Sequence, residues 1–507
     1  MSSPAPNCTT LPAILAQQAT AAAQRTALYW GDKRISYGQL QQRVQRLAAM
    51  LAATGEPGAR VAVLAWNCPA FVELMYAVPA AGHILVPLNA RLAAAELCDQ
   101  LRRSGSRVLY ADPGLLAPLR THADFPAAID CVALGEDYEG RLARDAGAAP
   151  PPCRAQDPAW ILYTSGSTGR PKGAVLTHAS FLAGLRSAAL ARPVEADDRY
   201  FYPFPLFHVA AHNVLLQHLY GAAVVLAPAF DAAQTLRACR ELGVTTLSLA
   251  PTMIAMLLDH PDFTPADLAS VRTIGYGASA MPSTLLRRLL DRTGVGLCQS
   301  YGMTELSGSV AFLTVEDHRA AAAGQDWLLG SVGRPLPAAE LRIDPDSGEI
   351  LVRAEQCMAG YWQDEEASAQ ALRGGWLHTG DIGRFDENGY LYIVDRLKDM
   401  IISGGENVAS REVEEVLRRH SGVRDCAVIG LPDPRWGECV AAVTVAAPDV
   451  SDGELEAHCR AHLAGYKTPR RWLRRDALPL NAAGKVDKPL LRRAYGAPAA
   501  APGATNP

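Results

Sequence analysis

Neither sign of charge dominates this sequence. Its 507 residues carry 48 Lys and Arg against 52 Asp and Glu, a net charge of −4. That balance argues against a chain that binds nucleic acid or an anionic membrane through its overall field. Paired cysteine motifs are missing too. The eleven cysteines are scattered singly from Cys8 to Cys459, with no Cys-x-x-Cys pair and no Cys/His cluster. Neither a disulfide framework nor a zinc site is indicated, and small buried thiols in a reducing cytosol are expected. Residues 1–18 lack a basic stretch followed by a long apolar one and do not read as a signal peptide. From Tyr202 to Phe230 there is no Asp, Glu, Lys or Arg, a length that could span a bilayer. Pro203, Pro205, Asn213, Gln217, Gly221, Pro228 and three histidines interrupt it, so a buried turn, helix and strand is expected. There is no internal repeat. No Gly-Lys-Ser/Thr triplet occurs, which excludes a Walker A loop.

What is present is a folded chain, 49% hydrophobic and 20% charged, too long for one core. Strand-like runs (Val61–Leu64, Ile84–Val86, Ala222–Ala227, Thr245–Ala250) alternate with amphipathic stretches such as Tyr37–Ala53 and Ala232–Glu241. This alternation predicts an α/β fold with largely parallel strands in layered sheets. After Ser331 the turns at Pro345–Gly348 and Asp386–Gly389 predict hairpins and a β-rich subdomain. From Asp395 a run of about 100 residues has its own strands and helices. The expected division is a large domain over 1–394, a small α+β domain over 395–495 and a disordered Ala/Pro/Gly tail over 496–507.

The sharpest local signal is Tyr163-Thr-Ser-Gly-Ser-Thr-Gly-Arg-Pro-Lys-Gly173, which follows the apolar run Ala159–Leu162, so a strand is expected to run into a loop that carries Lys172. Glycines let the backbone approach a ligand, hydroxyls donate, and Lys172 adds a positive charge; together they make a phosphate cradle. Further motifs follow in order. They are Gly275-Tyr-Gly-Ala-Ser-Ala-Met-Pro282, Gln299-Ser-Tyr-Gly-Met-Thr-Glu305, Trp376-Leu-His-Thr-Gly-Asp381, Asp395-Arg-Leu-Lys-Asp-Met400 and Asn481-Ala-Ala-Gly-Lys485. Over about residues 10–495 the chain resembles the adenylate-forming superfamily, and within it the acyl-CoA synthetases.

That resemblance implies ATP, Mg²⁺ and coenzyme A as cofactors and a C-terminal domain that moves on a hinge. Thr164, Ser165, Gly166, Ser167, Thr168, Gly169 and Lys172 are expected to cradle phosphate. Gly277, Ala278, Ser279, Tyr301 and Gly302 are expected around the adenine, with Tyr301 stacking on it. Thr304 would bond the α-phosphate, and Glu305 would hold Mg²⁺, which prefers hard oxygen ligands. Asp381 would accept from both ribose hydroxyls, with Arg396 reaching the same sugar. Lys485 is the expected adenylation lysine, a cation that stabilises charge crowding at the α-phosphorus. Lys398 is the expected hinge.

His208, in Pro205-Leu-Phe-His208, resembles an element at the mouth of the acyl site, and its identity disfavours an α-amino acid substrate. Gly404 and Gly405 resemble the turn that forms the thiol tunnel. Trp436 offers a surface for the CoA adenine, and Tyr466–Arg471 is a basic turn. Val209, Ala210, Ala211, Tyr276, Gly277, Ala278, Met303 and Ser307 are candidate acyl-site residues, mostly small or apolar. The expected reaction joins a fatty or aryl carboxylic acid to CoA through an acyl-adenylate, releasing AMP and pyrophosphate. Transfer to another acceptor and a luciferase-like oxidative fate are the alternatives. A cytoplasmic homodimer acting on a small-molecule acid, without nucleic acid or a membrane span, is the expected setting.

Overall fold

The computed structural model describes residues 7–144, 150–164, 171–277, 281, 283–403, 406–482 and 484–496. Nine strands form one sheet, in the order Arg334–Pro335, Gly308–Leu313, Gly296–Met303, Thr273–Gly277, Thr246–Ser248, Arg199–Tyr202, Ala223–Leu226, Thr26–Trp30 and Lys33–Ser36. The run from Gly296–Met303 to Thr26–Trp30 is parallel, and the flanking strands are antiparallel. The parallel pairs need crossovers, which the amphipathic stretches supply as helices.

Alternation along the strands decides which face each side chain serves. Phe201, Leu247, Ile274, Tyr276 and Leu297 pack on one face. They form a core with Leu236, Ile254, Leu257 and Leu289 from the helices Ala232–Leu242, Pro251–Asp259 and Ser283–Arg292. The strand register puts Tyr200, Ser248, Gly275, Gly277, Cys298 and Ser300 on the opposite face.

A second, seven-stranded sheet has the order Gly360–Tyr361, Lys172–Thr177, Pro158–Thr164, Ile84–Pro87, Arg60–Leu64, Val108–Ala111 and Asp130–Ala133. The helices Leu11–Ala22, Tyr37–Thr54, Pro69–Ala80, His178–Ala191 and His212–Leu219 form a connected helical layer. Tyr37–Thr54 shows why one of them forms. Ser36 and Gln39 make a reciprocal capping box, with N···O distances of 3.2 and 2.9 Å. Leu40, Val44, Leu47 and Leu51 then recur on one buried stripe, each worth ~1.5–3 kcal/mol of apolar burial.

Four strands, Ala339–Ile343, Glu349–Ala354, Leu377–Phe385 and Leu391–Arg396, form a third sheet. The hairpin turns read from the sequence lie between its members. The chain divides into two compact units: Met1–Arg342, Leu351–His378 and Phe385–Tyr392 in the first, and Ile343–Ile350, Thr379–Arg384 and Ile393–Pro507 in the second.

The second unit has its own sheet of Glu406–Val408, Ile401–Ser403, Gly437–Ala446 and Val423–Asp433, with Arg471–Arg474 beside Gly437–Ala446. Val428, Val440 and Ala442 face one core, and Ile429, Ala441 and Val443 face another. Burial on both faces explains the unbroken apolar runs. Among the described residues no helix is long and apolar enough to cross a membrane. The uncharged segment 202–230 folds as the end of a strand, the turn Val209–Ala211, the helix His212–Leu219 and the strand Ala223–Leu226.

Candidate active site

Open parallel sheets bind ligands beyond the carboxyl ends of their strands. There the strand Gly296–Met303 ends in Tyr301, Gly302 and Met303 and runs into the turn Thr304–Leu306. The ladder shifts register between Tyr301 and Gly302. A methyl group on Gly302 would lie 2.0 Å from Gly308 O, so only glycine fits. Ser307 takes φ +50°, a left-handed conformation that costs a non-glycine residue roughly 1–2 kcal/mol.

Side-chain and backbone hydrogen bonds hold that turn in place. Gln356 Nε2 donates to Leu306 O at 2.8 Å and Ser309 O at 3.0 Å, and Met358 N donates to Glu305 O at 2.8 Å. Ser307 Oγ donates to Ser180 Oγ at 3.1 Å.

The clamp presents a half-buried Glu305. Its Oε1 accepts from Tyr361 OH at 3.0 Å and from Thr164 Oγ1 at 3.3 Å. Lys172 Nζ stands 5.2 Å from the Tyr361 ring centre. Burial first, and then the neighbouring Glu305, raise the Tyr361 hydroxyl pKa, so it stays protonated and donates. Thr164 pairs with Lys172 across the antiparallel ladder. Lys172 therefore opens the strand Lys172–Thr177 instead of riding on the loop, as the sequence had suggested. Tyr301 is 9% exposed, at the end of its strand. Ser165, Gly166, Ser167, Thr168, Gly169, Ala278 and Ser279 lie outside the described residues.

The segment leading to His208 is held by Asn67, which is 3% exposed. Asn67 Nδ2 donates to Phe204 O at 2.7 Å and Ala227 O at 2.8 Å, and its Oδ1 accepts from Leu206 N at 2.8 Å. Phe207 then packs edge-on against His208 at 4.8 Å, with Trp66 6.1 Å from Phe207. His212 is buried, and its Nδ1 lies 2.8 Å from Val209 O. Burial, the largest influence, lowers its pKa and keeps the ring neutral. His212 Cε1 lies 3.3 Å from where a Gly308 methyl would sit, so this segment meets the Glu305 turn. Ala211 is fully buried and Ala210 half-buried. Tyr276 departs from expectation: it turns to the opposite, apolar face, with its hydroxyl 3.1 Å from Gln299 Oε1 and 2.9 Å from His318 Nε2.

In the second unit Asp381 is buried beside Gly380, whose φ of +72° suits a residue without Cβ. Gly380 N donates to Glu349 Oε1 at 2.8 Å, and Asp381 N donates to Thr379 Oγ1 at 3.1 Å. Arg396 Nε stands 3.3 Å from Asp381 Oδ1. Arg396 N donates to Asp395 Oδ1 at 2.7 Å, and Ser410 N donates to Asp395 Oδ2 at 2.5 Å. Lys488 Nζ donates to Ser410 Oγ at 2.7 Å and lies 2.7 Å from Glu414 Oε1.

Lys398 lies in a turn where Asp399 N and Met400 N both donate to Arg396 O, at 2.9 and 3.0 Å. Lys485 is exposed on a turn closed by Asn481 N to Lys485 O at 2.7 Å and Lys485 N to Asn481 Oδ1 at 3.1 Å. Gly484 supplies φ +76° there. Two guanidinium groups lie over the Trp436 ring, that of Arg435 at 4.9 Å and that of Arg470 at 4.4 Å from its centre. Gly404 and Gly405 lie outside the described residues.

Tyr361, Gln356 and Asn67 were not singled out in the sequence. Tyr361 carried the only usable signal, an aromatic pair behind a glycine in Gly360-Tyr-Trp362. The donor set in the first unit fits a magnesium–triphosphate ligand: a carboxylate, two hydroxyls that share one of its oxygens and a lysine close by.

Residues 15–362 match the AMP-binding enzyme family and residues 412–485 its C-terminal domain. The chain belongs to the AMP-binding enzyme family. It is similar to a feruloyl-CoA synthase of an Amycolatopsis species, 41% identical over 93% of this chain and 96% of that protein. A long-chain-fatty-acid–CoA ligase of Mycobacterium tuberculosis is 36% identical over 92% of this chain and 94% of its own length. Among solved structures, an o-succinylbenzoate–CoA synthetase of Bacillus subtilis in complex with ATP and magnesium superposes with a TM-score of 0.84. It is 31% identical and covers 95% of this chain and 98% of that one.

Proposed function

We propose that this protein is an AMP-forming acid–CoA ligase. A carboxylic acid attacks the α-phosphorus of ATP, pyrophosphate leaves, and the thiol of CoA then takes the acyl group from the adenylate, releasing AMP. The observation that carries this reading is the Glu305 carboxylate fixed between Thr164 and Tyr361 at the strand ends, with Lys172 beside it. When bound, Mg²⁺ supplies charge neutralisation at the phosphates; Glu305 and Thr164 are the oxygens that would face it. Thr304 donates to the α-phosphate, and Tyr301 covers the adenine.

Asp381 takes the ribose hydroxyls, with Arg396 holding its carboxylate in place. Lys485 brings a cation to the α-phosphate when adenylation occurs, a stabilisation felt only in the transition state. Lys398 is the hinge, and Gly404 and Gly405 form the thiol path. Trp436 with its two arginines offers an aromatic, cationic platform for the adenine and phosphates of CoA. The functional division follows residues 1–394 and 395–495. All eleven cysteines are free thiols, which supports a cytoplasmic setting.

Product analysis with and without CoA tests the reaction. Acyl-CoA, AMP and pyrophosphate in equal amounts are expected. Pyrophosphate release without any CoA-dependent thioester would overturn the assignment. The homodimer is tested separately by sedimentation.

A further inference from the structure

The sheet face opposite Tyr276 is floored by Gly277 and Gly275, with Ser300 and Ser248 beside them. The two glycines are spaced about 6.6 Å apart along the strand. Gly277 is at the carboxyl end, level with Ser300, which precedes Glu305 by five residues; Gly275 lies deeper. A methyl group on Gly275 would lie 2.4 Å from Arg192 Nη1 and 3.1 Å from Ser248 Oγ. The space a side chain at 275 would take is thus filled by a guanidinium.

Arg192 follows the helix His178–Ala191 and is partly exposed. Its Nη1 donates to Ser248 Oγ at 2.8 Å and its Nη2 to Leu247 O at 2.6 Å. The guanidinium carbon lies 5.4 Å from the Tyr200 ring centre, and Tyr200 OH also donates to Ser248 Oγ at 2.8 Å. These contacts aim a rigid, permanently charged fork at the deep end of the glycine floor. A guanidinium has five N–H donors, and the two named bonds use two of them. A hydrocarbon end pressed against such a group would strip its hydration and return no hydrogen bond, which is costly. An oxygen acceptor would return one.

We propose that Arg192 determines the acyl specificity of the enzyme by donating to an oxygen at the far end of the acid. The substrates are then compact acids bearing a distal hydroxyl, alkoxy or carbonyl oxygen, rather than plain hydrocarbon chains. This rests on the acid–CoA ligase reading.

The test compares two shape-matched acids, 4-hydroxycinnamate and 4-methylcinnamate, in the full-length enzyme with ATP, Mg²⁺ and CoA. The wild type should favour the hydroxy acid in kcat/KM by about tenfold to a hundredfold, the size of one hydrogen bond to a charged group. Arg192→Met should erase that preference while KM for ATP holds steady, and Arg192→Lys should keep part of it. Gly275→Ala, which crowds the guanidinium without touching it chemically, should also narrow the ratio. The same preference in the wild type, Arg192→Met and Gly275→Ala overturns the role of Arg192 and leaves the ligase reading standing. A panel of acids that yields no AMP at all from the wild type overturns the ligase reading itself.

Discussion

Glu305 and Lys485 carry opposite charges in the proposed reaction, and the two units hold them in opposite ways. Glu305 sits half-buried on a turn fixed by Gln356, Met358 and Ser307, its carboxylate already engaged by two hydroxyls. Lys485 is exposed on a glycine turn whose bonds close locally through Asn481. A group that holds a metal against phosphate gains from rigidity, because preorganised partners need no rearrangement at the moment of reaction. A group needed in one half-reaction gains from a site that does not bury it. The second unit contains both modes by itself: Asp381 is buried against Arg396, and Trp436 stays partly exposed beside Arg435 and Arg470.

The largest effect should come from breaking the exposed member. Lys485→Ala should slow adenylation by roughly 10²–10³-fold, by analogy with losing one oxyanion donor. Pyrophosphate exchange measures that step. Thioester formation from supplied acyl-adenylate should proceed near the normal rate; equal loss in both assays would show that Lys485 does not act selectively.

Tyr361→Phe tests the rigid member more gently. It deletes the Tyr361 hydrogen bond to Glu305 and leaves the ring, so Lys172 keeps its aromatic neighbour. A loss of about tenfold in kcat/KM for ATP is expected, the lower end for a bond to a charged group. The Mg²⁺ concentration for half-maximal rate should rise with it. A change in rate without any change in Mg²⁺ dependence would place Tyr361 outside the metal's surroundings.

Much of the first unit's architecture was legible because parallel strands buried on both faces read as short apolar runs between amphipathic helices. The motif positions were legible for a different reason: glycines and hydroxyls cluster where backbone must approach a ligand. What the sequence did not disclose were the clamps. Asn67 lies 137 residues from Phe204, and Glu305 lies 56 from Tyr361, so no local pattern joins them. Tyr276 was read toward the acyl site because it sits between Gly275 and Gly277. A strand's alternation sends it to the other face, where Gln299 and His318 take its hydroxyl. Lys172 was read as a loop cation because the residues before it are rich in glycine and serine, yet the ladder from Thr164 reaches it.

The smallest effect concerns histidine, and it again separates the two units. In the first, His178 and His218 are buried, and burial pushes each from 6.5 down to about 4. His218 shows why it must stay neutral: one ring nitrogen accepts from Tyr76 OH at 2.9 Å and the other faces Ala27 O at 3.1 Å. In the second unit His420, His458 and His462 lie near the surface, the first pair edge-on at 5.2 Å and the second tilted at 4.7 Å. A buried base with a lowered pKa binds fewer protons folded than unfolded. Its stabilisation is therefore complete above the unfolded value of 6.5 and is lost as pH falls from there toward 4. Between pH 7 and pH 6 each such histidine should cost about 0.7 kcal/mol. Backbone hydrogen exchange at the two pH values should show helices His178–Ala191 and His212–Leu219 losing protection while the sheet Val423–Ala446 holds. Equal loss in both units would mean that the buried histidines do not set the acid sensitivity.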